Sequence, residues 1–280
     1  MSRLPIIPSI RSQWRRYALA MTAAWAISGC ASPPTPSVNE SPVPDTHSSR
    51  TSLDWQGYYS GLLPCADCAG IFTELTLAEQ TYQLQQTYVG KMGTSFIGSG
   101  SFSWQQNGRL IKLDNLDTGA AIFQVAEGQL RQRDMQGNPI QGELANAYVL
   151  HQAPSLDTTL TTLANTWQLL RVNGGALRAN TAEQAQRPVA IHFTAAGQVA
   201  GFSGCNRFAG EYKISNRGQL TLGALASTKM ACLNDDGLEQ ELLNALQAAD
   251  RYFIAGNTLH LLSLATGQTL TFQRVDASPN

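Results

Sequence analysis

The stretch Tyr58-Tyr59-Ser60-Gly61-Leu62-Leu63-Pro64-Cys65-Ala66-Asp67-Cys68-Ala69-Gly70-Ile71 decides how the first half of the chain folds. A strand-like run enters it. A second run, Ile71-Phe72-Thr73-Glu74-Leu75-Thr76-Leu77, leaves it with the alternation of a strand. Between them lie Pro64, two cysteines at C-x-x-C spacing and Gly70. Two thiols so spaced close a tight disulfide, or both point at one soft metal ion, with Cu(I) the natural guest of two thiolates. C-x-x-C spacing also lowers thiol pKa in redox proteins. Three readings stay open for Cys65 and Cys68: a structural or switchable disulfide, a Cu(I) site, and a catalytic dithiol. The last is disfavoured because redox C-x-x-C motifs open a helix, and here a strand follows. Zinc alone lacks a second Cys or His pair to complete four ligands.

Outward from this loop, period-2 alternation recurs over residues 54–152. Candidate strands are 56–63, 71–77, 81–89, 96–104, 109–114, 119–125, 129–134 and 146–151, separated by turn signals such as Asn107-Gly108. Eight short, evenly spaced strands predict an antiparallel meander closed into a barrel. Such a barrel holds a packed core or one small ligand. Phe72, Leu75, Tyr82, Leu84, Phe96 and Phe102 are the expected inward residues, and they suit a filled core or an apolar-ligand cavity. Met92 and Met135 are read as packing rather than as thioether ligands.

The string Gly57-Tyr58-Tyr59-x-Gly61-x-Leu63-Pro64-Cys65-Ala66-Asp67-Cys68-x-Gly70-Ile71 resembles the signature of the N-terminal domain of NlpE, an envelope lipoprotein family. The resemblance implies a small lipocalin-like barrel. It also implies links to surface sensing, copper tolerance and envelope stress signalling.

Residues 156–275 read as a second domain, after a connector beginning at Pro154-Ser155-Leu156-Asp157. Strands are expected at 166–172, 189–193, 198–212, 220–225, 251–255, 258–264 and 268–274. One convincing helix, 237–249, has Leu238, Leu242, Leu243, Leu246 and Ala249 on one face, with Asp235 or Asp236 as its cap. Trp167-Gln168-Leu169, Gly201-Phe202-Ser203-Gly204-Cys205-Asn206-Arg207-Phe208, Ala226-Ser227-Thr228-Lys229-Met230-Ala231-Cys232 and Leu238-Glu239 resemble, in order, the blocks of a META domain as found in HslJ-type proteins. That implies a compact α+β fold with an antiparallel sheet and one main helix. Little function transfers from it. The better-known NlpE members carry a different C-terminal domain.

Gly201-Phe202-Ser203-Gly204-Cys205 is not a nucleophile elbow, because Cys205 stands where that motif needs Gly. Asn206 and Arg207 read as a turn residue and a paired cation rather than as a polar site. His47, His151, His192 and His260 make no metal spacing. No triad, phosphate loop or carboxylate pair emerges, so a non-enzymatic chain is expected. A dithiol enzyme is the weakest alternative.

The 280-residue chain carries 19 basic and 20 acidic residues, a balance that implies no nucleic-acid partner. Arg3, Arg11, Arg15 and Arg16 form a basic start, and Tyr17 to Ile27 is an apolar run too short to span a membrane. It ends in Ile27-Ser28-Gly29-Cys30, which resembles a bacterial lipobox. The resemblance implies a signal peptide over 1–29, cleavage before Cys30 and a diacylglyceryl group on its sulfur. The residues around Arg15-Arg16 fit a twin-arginine motif poorly. Residues 30–53, holding five of the twelve prolines, are expected to be a disordered tether. Ala31 after the anchor favours the outer membrane by resemblance to enteric sorting.

Setting Cys30 aside leaves two pairs, 65/68 and 205/232. An exported chain meets an oxidising compartment, and a Cys205–Cys232 bridge is expected there. The whole reading is an outer-membrane lipoprotein facing the periplasm, mainly β, with a barrel and an α+β domain. Its expected role is a non-enzymatic envelope-stress sensor or adaptor, tied to copper or thiol redox state through Cys65 and Cys68. A membrane contact through the lipid and a stress-signalling protein are the expected partners. A binding module whose barrel carries an apolar ligand is the alternative.

Overall fold

The computed structural model describes residues 48–91, 94–116, 121–177, 188–215, 217–231 and 237–275. A single turn of helix, α1 (Ser49–Ser52), leads into eight antiparallel strands: β1 (Gly57–Leu63), β2 (Ile71–Ala78), β3 (Thr81–Tyr88), β4 (Ser95–Gln105), β5 (Leu110–Leu113), β6 (Ile122–Ala126), β7 (Gln129–Gln132) and β8 (Val149–Gln152). They pair in sequence order, and β8 returns to β1 through Tyr59↔Gln152 and Ser60↔His151, closing a barrel. Closure leaves no free sheet edge.

The register explains which residues fill it. Tyr59, Leu63 and Leu75 point inward and join Leu84, Phe102, Ile111, Phe123, Leu130 and Leu150 in one buried cluster. The interior is thus occupied by side chains. Phe72 departs from the expected inward set. Strand periodicity puts residues 73, 75 and 77 on one face, so Phe72 must point the other way. It is fully buried all the same, in a separate cluster with Val89, Phe253 and Leu262.

Phe253 and Leu262 belong to the second half, which opens with α2 (Leu156–Leu163). The sequence pattern marks the start of this segment as connector, whereas it is helical. Ser155 caps the helix by accepting from the Thr158 N–H at 3.3 Å, and the Trp167 indole donates to Leu163 O at 2.9 Å. Then come β9 (Thr166–Val172), β10 (Gly175–Ala176), β11 (Ala190–Phe193), β12 (Gln198–Phe202), β13 (Arg207–Ile214), β14 (Leu220–Leu222), β15 (Ala226–Ser227), α3 (Leu238–Ala248), β16 (Arg251–Ala255), β17 (Thr258–Leu262) and β18 (Thr269–Arg274). The sheet order is β14-β13-β12-β11-β9-β18-β17-β16, with β10 beside β9 and β15 beside β13. Helix α3 lays Leu242, Ala245 and Leu246 on the core around Trp167, Phe193 and Phe272.

The described residues fall within one compact unit. Besides the Phe72–Phe253 cluster, the Tyr58 hydroxyl is shared between Glu74 Oε1 at 2.7 Å and Arg217 O at 3.0 Å. The Gly90 N–H donates to Leu264 O at 3.2 Å. Burial, then the Glu74 carboxylate, keeps the Tyr58 hydroxyl protonated far above its usual range.

Candidate functional site

The cysteine loop spans residues 64–70 between the last β1–β2 pair, Leu63↔Ile71, and it is fastened at its base. Gly70 has φ +156°, and a Cβ there would lie 2.5 Å from Leu62 Cδ1, so only glycine lets the chain turn over Leu62. The Gly70 carbonyl accepts from the Val89 N–H at 2.9 Å. Cys65 and Cys68 are joined as a disulfide, with α-carbons 5.4 Å apart. Their sulfurs are half-buried, while Asp67 between them is exposed. Lys91, from the turn after β3, pairs with Asp67. That hydrogen bond, then the ammonium charge, holds the Asp67 carboxyl below its usual range. The pair lies in solvent and adds little stability.

The Cys65, Asp67 and Cys68 ligand atoms lie within 4.8 Å of one another. As a disulfide, the two sulfurs are poor metal donors, because thiolate is the ligand. Uptake of two electrons and two protons gives two thiols, and their deprotonation gives a soft two-sulfur set that suits Cu(I). Asp67 is a hard ligand already engaged by Lys91. β2, not a helix, follows the loop, so no helix dipole is present to acidify either thiol.

A second polar constellation lies in the other half. Asn206 is 4% exposed and Ser203 1%. Glu239, in the first turn of α3, accepts from Ser203 Oγ at 2.6 Å, the Asn206 N–H at 3.1 Å and Asn206 Nδ2 at 3.0 Å. Asn206 Oδ1 accepts from Thr228 Oγ1 at 2.7 Å and the Met230 N–H at 2.8 Å. The network ties the 203–206 loop, the segment after β15 and the start of α3 together. The Glu239 carboxylate thereby acts as a clamp. Gly237, at φ 78°, is the N-cap of α3, and Asp235 and Asp236, expected there, lie outside the described residues. Arg207 is exposed, and its N–H donates to Thr228 Oγ1. Cys205 is disulfide-bonded. Cys232, Cys30 and His47 lie outside the described residues. His192 faces Thr166, with Nδ1 3.2 Å from its hydroxyl.

Residues 59–143 match the profile of the NlpE N-terminal domain, and residues 158–277 that of the META domain. The chain joins an NlpE N-terminal domain to a META domain. The META region is similar to the heat shock protein HslJ of Escherichia coli, 37% identical over 94 residues, which cover 32% of this chain. The chain spans 64% of the length of that curated relative. Among solved structures, a candidate lipoprotein from Shewanella oneidensis is 41% identical, covering 38% of this chain and 94% of its own, at TM-score 0.34. The Cpx pathway activator NlpE from Escherichia coli is 20% identical, covering 61% of this chain and 95% of its own, at TM-score 0.28.

The NlpE signature was visible in the sequence around the cysteine loop. The Asn206–Glu239 network was not. Its members sat in separate META blocks with 32 residues between them, and nothing local links them.

Proposed function

We propose that this protein is a lipid-anchored envelope protein, held at the outer membrane through Cys30, that acts as a non-enzymatic stress sensor or adaptor. The signal enters at the Cys65–Cys68 loop, as thiol oxidation state or as Cu(I) held by the two reduced sulfurs. The observation that carries this reading is the placement of the half-buried cysteine pair in a surface loop whose Ala66, Asp67 and Ala69 are exposed, within reach of soluble reductants and metal ions. The NlpE domain match supports the reading, and the heat-shock name of the HslJ relative fits it. A stress-signalling protein of the envelope is the downstream partner.

The test is Cu(I) titration of the reduced protein against a chromophoric chelator. One Cu(I) per chain is expected, with binding lost in Cys65→Ser as fully as in the Cys65→Ser/Cys68→Ser variant. Equal binding by the wild type and the double variant removes the copper reading. Thiol trapping in stressed and unstressed cells tests the redox reading, which requires the pair to change state. The anchor is tested separately: Cys30→Ala protein should leave the membrane fraction, since acyl chains supply the attachment.

A further inference from the structure

Alternate turns of an antiparallel meander lie at opposite ends of its barrel, so the β2–β3 and β4–β5 turns share the end away from the cysteine loop. Two adjoining recesses open there, of about 510 Å³ and about 600 Å³. Both are wide and open to solvent, a platform rather than an enclosed cavity. Trp104 and Arg50 line both recesses, and Trp55 lines the first. The two indoles meet edge to face with centroids 5.2 Å apart, and Phe102 backs Trp55 at 5.7 Å. Trp55 Nε1 donates to Arg50 O at 3.1 Å, which fixes that ring. The Trp104 N–H has no hydrogen-bond partner among the described residues.

Amides surround this aromatic floor. Gln56 and Gln80 line the first recess, and Gln105, Gln106 and Asn107 the second. None of these five side chains hydrogen-bonds to a described residue, and neither Arg50 nor Glu79 makes an ion pair among them. Glu79 at φ 45° and Gln106 at φ 48° sit in the left-handed region, where glycine or asparagine costs less. Long polar side chains therefore stand at turn positions that backbone energetics alone would give to smaller residues.

The chemistry selects among ligands. An apolar guest would strip water from five amides and pair none of them. A polyanion needs clustered cations, and Arg50 is the one cation among the described residues that line these recesses. A pyranose offers C–H faces that stack on indole and a rim of hydroxyl or acetamido groups that match amide donors and acceptors. We propose that this end of the barrel binds a neutral oligosaccharide, with sugar rings on Trp55 and Trp104 and their rims held by Gln80, Gln106 and Arg50.

The test is titration of the full-length, detergent-extracted protein with chitohexaose and, in parallel, maltohexaose, followed by intrinsic fluorescence. Past Cys30 the tryptophans are Trp55, Trp104 and the fully buried Trp167, so the signal reports on this site. A saturable change with either sugar is expected, and the preferred one tells acetamido from hydroxyl recognition. Arg50→Ala and Gln106→Ala, both at exposed positions, should each weaken binding about threefold to tenfold with an unchanged melting temperature. No saturable change with either sugar at millimolar concentration would overturn the proposal. So would wild-type affinity in both variants.

Discussion

Gly267 of the META domain lies against Gly90 of the barrel so closely that a β-carbon on Gly267 would sit 3.0 Å from the Gly90 α-carbon. Gly267 also has φ +78°, where an L side chain is strained. Gly267→Ala should therefore cost about 1–3 kcal/mol, from left-handed strain plus displacement of the Gly90 turn. Calorimetry of the wild type should give one transition, because Phe72, Val89, Phe253 and Leu262 share one buried cluster across the two domains. The variant should melt lower, or split into two transitions if the contact opens first. An unchanged thermogram would show that the glycine contact carries no stability.

The same interface should respond to acid. His260 on β17 stacks on Phe253 with ring centroids 4.3 Å apart, and its Nδ1 lies 3.4 Å from Thr271 Oγ1. Burial, then the charge of His151 on β8, pushes the His260 pKa down to about 4. Burial, then Arg131, lowers His151 as well. The folded pKa of His260 lies below its unfolded value of about 6.5, so the unfolded state binds the proton first. This contribution is fully present above about pH 6.5 and is lost as pH falls towards 4. It amounts to at most about 3 kcal/mol, reduced by the ring's residual solvent contact. Urea midpoints from pH 7.5 to 4.5 should fall in the wild type and fall less in His260→Gln. Equal slopes would assign the acid sensitivity elsewhere.

The barrel was legible because alternation is local. Eight strands and most of their turns follow from residues two apart, and Gly70 and Asn107-Gly108 mark turns by their own conformational preferences. The failures share a cause. Phe72 looks inward by composition, yet it sits three residues from Leu75, an odd spacing that forces it to the outer face. Its burial depends on Phe253, 181 positions later, which no local pattern announces. Helix α2 hid because Leu156-Asp157-Thr158-Thr159-Leu160-Thr161-Thr162-Leu163 is rich in β-branched threonine. Its Ser155 cap and the Trp167 contact supply what propensity withholds. At the cysteine loop the sequence offered three chemistries. The disulfide is the state seen, and the choice among functions rests on solution conditions that no residue encodes.

Asn206→Ala should destabilise the META domain. It removes both faces of the Asn206 amide, leaving Thr228 Oγ1 and the Met230 N–H without that acceptor and Glu239 without one donor. Asn206 itself is buried, while Thr228 and Met230 are exposed and Glu239 half-buried, so water replaces part of what is lost and a cost of about 1–3 kcal/mol is expected. Asn206→Asp should do at least as much damage, because it sets a second carboxylate against Glu239. Denaturant unfolding followed at Trp167 measures both. A loss under about 0.5 kcal/mol for Asn206→Ala would mean that water replaces the amide and the clamp is dispensable.

Cys205 stands in the middle of that clamped loop and is disulfide-bonded. Cys65 and Cys68 are joined to each other, so neither is its partner in this state. We expect the partner to be Cys232, two residues past Met230, whose N–H the Asn206 side chain already holds. The bridge and the polar clamp would then fasten the same two segments, one covalently and one through Glu239. A bridge across the 26 intervening residues stabilises by roughly 3–4 kcal/mol on the chain-entropy account. Non-reducing peptide mapping of oxidised protein should yield one linked peptide pair joining 205 to 232 and another holding 65 with 68. Cys232→Ser should lower stability by about that amount and free one thiol at Cys205. Peptides linking 205 to 65 or 68 would show instead that the two domains exchange disulfides, so that the four cysteines act as one relay.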